Sequence, residues 1–163
     1  MNWGYLYPKQ AEFFKAKQRY VAYGGARGGG KSHVVRLKSC TDAINFPGIK
    51  ILIIRRKYTE IEENHIIPLK KMLPDSVATY NGTTRNMYFA NGSRIRFGHL
   101  NNASDIDEYQ GLEFDEIFID EATHFTEREF RTLGACVRGV NEFPKRIYLT
   151  CNPRLGILPK GIS

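Results

Sequence analysis

Cysteine is scarce in this sequence. The 163 residues include only Cys40, Cys136 and Cys151, which are odd in number and far apart. A structural zinc site requires paired ligands that are a few residues apart, so we expect no cysteine-based zinc site. Cysteines outside such sites are usually buried as reduced thiols, and we predict this for all three.

Long apolar runs are also missing. The longest, I-L-I-I at residues 51–54, falls far short of the roughly 20 residues that cross a bilayer. There is no internal repeat, no low-complexity tract and no secretory leader after Met1. The length suits one domain, and 42% hydrophobic residues supply a core. We therefore expect a soluble cytoplasmic protein without a membrane partner.

Positive charge, in contrast, is in excess. The sequence has 24 Lys and Arg against 17 Asp and Glu, a formal net charge of +7. Basic side chains that neutralise phosphates release counterions, so this balance suits a polyanionic partner, although it is a weak indication by itself. The basic residues that cluster in sequence and are candidates for DNA contact are Arg55, Arg56, Lys57, Arg94 and Arg96.

Apolar periodicity and turn residues predict alternating strands and helices. Strands are predicted at residues 19–23, 49–54, 116–119 and 146–150. Helices are predicted at residues 8–19, 31–45, 58–73 and 126–137, with Pro68 kinking or dividing the third and a Thr126–Glu129 capping box opening the last. Residues 86–97 read as a hairpin with a two-residue Asn-Gly turn. The fold class is α/β, with a mainly parallel sheet, helices on both faces and this β-hairpin.

The strongest motif is a glycine-rich segment between the first strand and the helix at 31–45. It matches G-x-x-x-x-G-K-[ST], in which backbone N–H groups surround phosphate oxygens at a helix N-terminus. Lys31 is predicted to reach the β- and γ-phosphates of ATP, and Ser32 to ligate Mg²⁺. Arg27 either stabilises the γ-phosphate in the transition state or is a solvated loop residue. The predicted cofactor-binding residues here are Gly25, Ala26, Arg27, Gly28, Gly29, Gly30, Lys31 and Ser32.

Two further strands end in polar residues. Asp120 and Glu121 follow the apolar strand at 116–119, where Asp120 is predicted to hold Mg²⁺ and Glu121 to polarise the attacking water. Thr150 and Asn152 end the last strand and either contact the γ-phosphate and that water or form an ordinary turn. Upstream, Gln10 either pairs with the adenine edge or is an exposed helix residue. None of the four histidines has metal-ligand spacing, so we interpret them as ordinary surface or core residues.

Together these residues resemble the ATPase domain of the large terminase subunit of tailed bacteriophages, the DNA-packaging motor. The resemblance spans nearly the whole chain and rests on Gln10 and residues 25–32, 111–115, 119–122 and 150–153. It implies a RecA/ASCE-like P-loop NTPase that hydrolyses ATP with Mg²⁺ and moves double-stranded DNA into a procapsid. It also implies a homo-oligomeric ring at the portal protein in the host cytoplasm, supplied with DNA by a small terminase subunit. Residues 150–153 look like the family's coupling motif, which places the last strand between the first strand and the Asp120 strand.

The sequence departs from the family pattern in two places. Many members carry an arginine before the glycine matching Gly111, a candidate finger for a neighbouring subunit, whereas this chain has Gln110. Arg138 is either a substitute or a helix-surface residue. Family members also continue into a lid and a nuclease, so we expect residues 1–163 to form the ATPase domain alone.

Two other functions remain open at this stage. Residues 120–123 also look like a DEAx box, so the chain could be a fragment of a helicase or of another nucleic-acid-dependent P-loop ATPase. A nucleotide-binding module with little turnover is the other alternative.

Overall fold

Seven β-strands form one sheet in the computed structural model, which describes residues 7–24 and 30–151. The strands are β1 Tyr20–Gly24, β2 Lys50–Arg55, β3 Ala78–Asn81, β4 Asn86–Phe89, β5 Arg94–His99, β6 Glu116–Ile119 and β7 Arg146–Cys151. Their order is β1-β7-β6-β2-β5-β4-β3. The first five are parallel, and β4 and β3 extend the sheet antiparallel from β5.

The helices cover both faces of this sheet. They are α1 Pro8–Lys15, α2 Lys31–Asn45, α3 Tyr58–Ile61, a π-helix Glu62–Ile66, α4 Ile67–Met72 and α5 Glu127–Ala135, with 3₁₀ segments at Ala103–Tyr109 and Ala122–His124. Successive side chains of a strand point to opposite faces, which β2 shows clearly. Ile51 and Ile53 pack in the cluster that contains α1 and α2, whereas Leu52 and Ile54 pack in the cluster that contains α5. The predicted α/β class with helices on both faces is confirmed.

The helical region after β2 differs from the uniform helix predicted for residues 58–73. It is divided by the π-helix, which ends one residue before α4 begins. Pro68 has no N–H, so the carbonyl of Asn64 lacks the donor that an α-helix would supply. The Arg36 side chain donates to that carbonyl instead. Pro68 therefore divides the segment as predicted, and a partner from α2 stabilises the division.

The β4–β5 hairpin exists, but its predicted two-residue turn is wrong. Phe89 N–H donates to the Ser93 carbonyl at 2.9 Å, so Ala90, Asn91 and Gly92 lie in the turn. Only Gly92 has a positive φ, of 91°. The Asn91 amide donates to the carbonyl of Ala43 at 2.8 Å. This tertiary contact with the end of α2 accounts for the longer turn.

Other predicted elements need smaller corrections. The first helix ends at Lys15 rather than at residue 19, and β3 was not predicted. The Thr126–Glu129 capping box is confirmed, because Thr126 accepts from Glu129 N–H at 3.2 Å and donates its own N–H to Glu129 at 2.8 Å. The three cysteines are buried and reduced, as predicted.

Candidate nucleotide-binding site

The predicted site residues meet at the carboxyl ends of β1, β7, β6 and β2. β7 lies between β1 and β6, as predicted for the last strand. In a parallel sheet this edge is where ligands bind, because the strand ends and helix N-termini open there. The residues outside the described part of the chain are Gly25, Ala26, Arg27, Gly28, Gly29 and Asn152.

Gly30 and Lys31 begin α2 at this edge. Gly30 has φ +74°, a left-handed conformation that glycine adopts without steric cost. A Cβ atom there would lie 2.3 Å from Gln10 Nε2, so the close approach also requires glycine. Lys31 is nearly buried, and its Nζ lies 3.9 Å from Glu121 Oε1. The predicted phosphate-binding lysine and the predicted catalytic glutamate are therefore neighbours.

Gln10 is not the exposed helix residue that was the alternative. Only 2% of it is exposed. Its Oε1 accepts from Tyr7 N–H at 2.9 Å, and its Nε2 donates to the Gly30 carbonyl at 3.2 Å. The side chain thus braces the last glycine of the phosphate loop from α1. Its pairing with adenine stays a prediction.

Asp120 is the centre of the site and is buried. Its Oδ1 accepts from the Thr150 hydroxyl. Its Oδ2 lies 3.4 Å from Ser32 Oγ, 2.9 Å from Arg55 Nη1 and 2.9 Å from His65 Nε2. Ser32 and Asp120, the two predicted metal ligands, are thereby brought together.

The surroundings of Asp120 favour its ionised form. Burial by itself raises the pKa of this carboxyl. The hydrogen bond and charge of His65, the charge of Arg55 and the hydrogen bond of Thr150 lower it, and together they hold the pKa well below its ordinary value. Asp120 is therefore a carboxylate throughout the physiological range, as a ligand for a hard cation must be.

Glu121 follows in a left-handed conformation, φ 55°, which is uncommon for a residue with a side chain. Its N–H donates to Thr150 Oγ1 at 3.3 Å. Its carboxylate lies 4.0 Å from Arg55 Nη2, in addition to the contact with Lys31. Thr150 touches both acidic residues, which supports its selection from the sequence as a site residue.

Arg55 and His65 were not singled out for this site. Arg55 ends β2, and it also contacts Glu60 at 2.9 Å. The rule that identified Asp120, a polar residue after an apolar parallel strand, would have identified Arg55 as well. His65 is completely buried. Its position depends on the π-helix, for which the sequence gives no signal.

Arg138 lies beyond α5 and is not a helix-surface residue. Its Nη2 donates to the Gly111 carbonyl at 3.3 Å, and its Nε lies 3.6 Å from Glu113 Oε1. Arg138 and Gln110 line the same surface cavity of about 400 Å³. The structure thus places Arg138 beside the position where many family members carry their arginine.

Magnesium is the metal that the donor set fits. Within residues 7–24 and 30–151, no cluster of three or more His, Cys, Asp or Glu residues could hold a metal ion. A hydroxyl and one carboxylate suit Mg²⁺, which takes few protein ligands and keeps waters or substrate phosphates. The same described residues contain no helix long and apolar enough to cross a membrane.

The fold and the site together define a P-loop NTPase domain. Among solved structures, the chain is similar to the large terminase of a thermophilic bacteriophage, with a TM-score of 0.69, 17% identity, and coverage of 88% of this chain and 38% of that one. It is similar to the large terminase ATPase domain of Thermus phage P74-26, with a TM-score of 0.63, 17% identity, and coverage of 98% and 67%. It is also similar to a chain of the bacteriophage Phi-29 genome packaging motor, with a TM-score of 0.57, 19% identity, and coverage of 90% and 46%.

The family is established by sequence. A model of the phage terminase large subunit matches residues 17–156, and the chain belongs to that family. The search of curated proteins found no match. The chain spans only 38% of the length of the thermophilic phage terminase.

Proposed function

We propose that this chain is an ATPase that powers the translocation of viral double-stranded DNA into a procapsid. The observation that carries the proposal is the contact between Asp120 and Ser32, with Lys31, Glu121 and Thr150 around it at the carboxyl edge of the sheet. Related thermophilic phage terminases form complexes with ADP and with ATP-γ-S. Nucleotide binding at the corresponding edge of this chain is consistent with them.

Each residue has a distinct proposed role. Lys31 binds the β- and γ-phosphates, together with the backbone of Gly25 to Gly30 and the side chain of Arg27. Ser32 and Asp120 would hold Mg²⁺, which neutralises phosphate charge when bound. Glu121 orients the attacking water and accepts its proton. Gln10 braces the loop and faces the adenine.

Thr150 connects hydrolysis to the rest of the fold. It contacts Asp120 and Glu121 from the neighbouring strand β7, and Asn152 follows two residues later. A change at the γ-phosphate would therefore be felt at the end of β7. We propose that this connection transmits hydrolysis to movement of DNA.

The proposed partners follow from the family. They are double-stranded DNA, the portal protein and the small terminase subunit, with a homo-oligomeric ring working at the procapsid portal in the host cytoplasm. The similarity to a chain of the Phi-29 packaging motor supports an assembly of this kind. In such a ring, Arg138 is the residue placed to act on a neighbouring subunit in place of Gln110.

Two substitutions separate ATP binding from turnover. Lys31→Ala should abolish binding of ATP with Mg²⁺ in calorimetry, because the phosphates lose their mobile positive partner. Glu121→Gln should keep binding but lower hydrolysis by roughly 10²–10⁴-fold, the usual contribution of a general base. Glu113→Gln, at an exposed position, is the matched control. Hydrolysis at the original rate in Glu121→Gln would exclude Glu121 as the base, and unchanged ATP affinity in Lys31→Ala would exclude the nucleotide site itself.

A further inference from the structure

A second polar cavity opens one strand away from the nucleotide site. It has a volume of about 220 Å³ and lies between the β3–β4 turn and the carboxyl end of β5. β5 pairs with β2 so that Gly98 is opposite Ile54 and His99 is opposite Arg55. The cavity is therefore at the same edge of the sheet as Asp120. Its lining residues are Thr83, Thr84, Arg85, Arg96, Phe97, Gly98, His99, Glu108 and Tyr109.

Two half-buried guanidinium groups give this cavity its charge. Arg85 stacks over the Tyr58 ring at 4.5 Å, and Arg96 over the Tyr109 ring at 5.1 Å. Stacking orients a guanidinium but does not neutralise it. Within the described residues, no carboxylate lies within salt-bridge distance of either arginine, unlike Arg55 and Arg56. Both positive charges are thus available to a ligand.

His99 adds a hydrogen-bond donor. Burial and then the charge of Arg85 lower its pKa, so the ring is neutral at pH 7. Arg85 Nη1 lies 3.2 Å from His99 Nδ1, so the neutral ring accepts there and carries its proton on Nε2. The only carboxylate that lines the cavity is Glu108, which is exposed.

The backbone at Arg85 is strained in a way that favours a functional role. Its φ of 56° is one of two positive values at non-glycine positions in the described chain, and the other is Glu121 of the nucleotide site. A left-handed non-glycine residue costs about 1–2 kcal/mol, and glycine would avoid that cost. The turn is nevertheless well formed, since Arg85 accepts from Phe97 N–H at 2.9 Å and Asn81 caps the N–H groups of Thr83 and Thr84.

We propose that this cavity binds a phosphate group, and that its occupant is a backbone phosphate of duplex DNA. Planar guanidinium groups match phosphate oxygens, and two of them with an imidazole donor can hold one phosphate. Contacts of this kind carry no base information, which suits a motor that moves along any sequence. The inference rests on the proposed function and assigns its DNA contact. It also replaces part of the cluster expected from the sequence, because Arg55 contacts Asp120 and Arg56 contacts Glu129.

The test uses variants that change charge in both directions. Arg85→Gly removes a guanidinium and relieves the left-handed strain, and Arg96→Gln removes the other. Glu108→Gln removes the opposing carboxylate. The control is Lys71→Gln, which removes one positive charge at an exposed position of α4 outside the cavity. The probe is a fluorescent duplex of unspecific sequence, titrated without nucleotide at several salt concentrations, with inorganic phosphate as competitor.

Opposite responses would support the assignment. Arg85→Gly and Arg96→Gln should weaken binding by about 3- to 30-fold and lower the log–log salt slope by about 0.9, the value for one phosphate contact. Glu108→Gln should tighten binding, a gain that a folding defect cannot produce, and Lys71→Gln should have little effect. The assignment fails if all charge changes act alike, if inorganic phosphate binds but the duplex does not, or if the duplex does not bind at all. ATP binding by the same variants is measured separately, so failure here does not bear on the nucleotide site.

Discussion

Glu116→Gln should stabilise this protein, and increasingly so as the pH rises. Glu116 begins β6 and is completely buried. Its Oε2 lies 3.4 Å from the Tyr148 hydroxyl, and its Oε1 has no hydrogen-bond partner. Asp42 is its acidic neighbour, with Oδ1 paired to Lys38 Nζ at 3.1 Å and Oδ2 without a partner. Two carboxylates can bond to each other only by sharing a proton.

The pKa of Glu116 is accordingly raised well above 4.5. Burial is the main cause, followed by the hydrogen bond and charge of Asp42, while Lys38 and Arg146 oppose them. A raised folded-state pKa contributes stability that is complete below the unfolded-state pKa and is lost as pH rises to the folded-state pKa. Within that window, the free energy of unfolding falls by about 1.4 kcal/mol per pH unit from this group.

Glutamine removes the titration but keeps the shape. Its amide can donate to Asp42 Oδ2 at every pH and accept from Tyr148. Between about pH 5 and about pH 6.5, the stability of Glu116→Gln relative to the original protein should therefore increase by roughly 2 kcal/mol. For a domain of this size, each 1 kcal/mol is roughly 2–4 °C in Tm.

Urea unfolding followed by circular dichroism at several pH values measures this difference directly. Glu113→Gln is the control, because it makes the same chemical change three residues earlier at an exposed position. A stability difference that stays constant with pH would refute the reasoning. So would a variant that is less stable than the original protein at neutral pH.

Two further predictions concern single hydrogen bonds. His65→Ala should lower kcat for ATP hydrolysis by about 10–100-fold, the usual effect of losing support for a metal ligand, and raise the Mg²⁺ requirement. His65→Gln, whose amide can still donate to Asp120, should recover part of the rate, which a purely structural loss would not allow. Thr126→Ala removes the cap of α5 and should lower the free energy of unfolding by about 1 kcal/mol. Calorimetry should show this decrease but none for Thr59→Ala at an exposed position, and equal melting temperatures would exclude the capping role.

The sequence was sufficient for features that depend on neighbouring residues in the chain. The apolar run at 51–54, the capping box at Thr126 and the glycine-rich loop before Lys31 are local patterns with one dominant structure. The meeting of Lys31, Ser32, Asp120, Glu121 and Thr150 followed from a topological rule, because parallel strands end at one edge. These predictions needed no knowledge of side-chain packing.

The remaining features depend on contacts that the sequence pattern does not encode. The hairpin turn is longer than expected because Asn91 bonds to the end of α2. His65 reaches Asp120 from a π-helix next to Pro68. The charge cluster at Arg55 and Arg56 looked free, yet both arginines have carboxylate partners that are distant in sequence. In each case a tertiary partner overrides the local expectation.

The crowding at Asp120 indicates which contact gives way when the nucleotide site fills. Oδ2 already has three polar neighbours, and a carboxylate oxygen has only two lone-pair directions. His65 is completely buried and has no other partner for Nε2, so it stays. Arg55 has a second carboxylate, Glu60, at 2.9 Å, and can leave Asp120 without losing its ion pair. Because Arg55 is opposite His99 in the sheet, its movement begins beside the cavity assigned to DNA phosphate, which gives ATP binding a short physical route to the DNA contact.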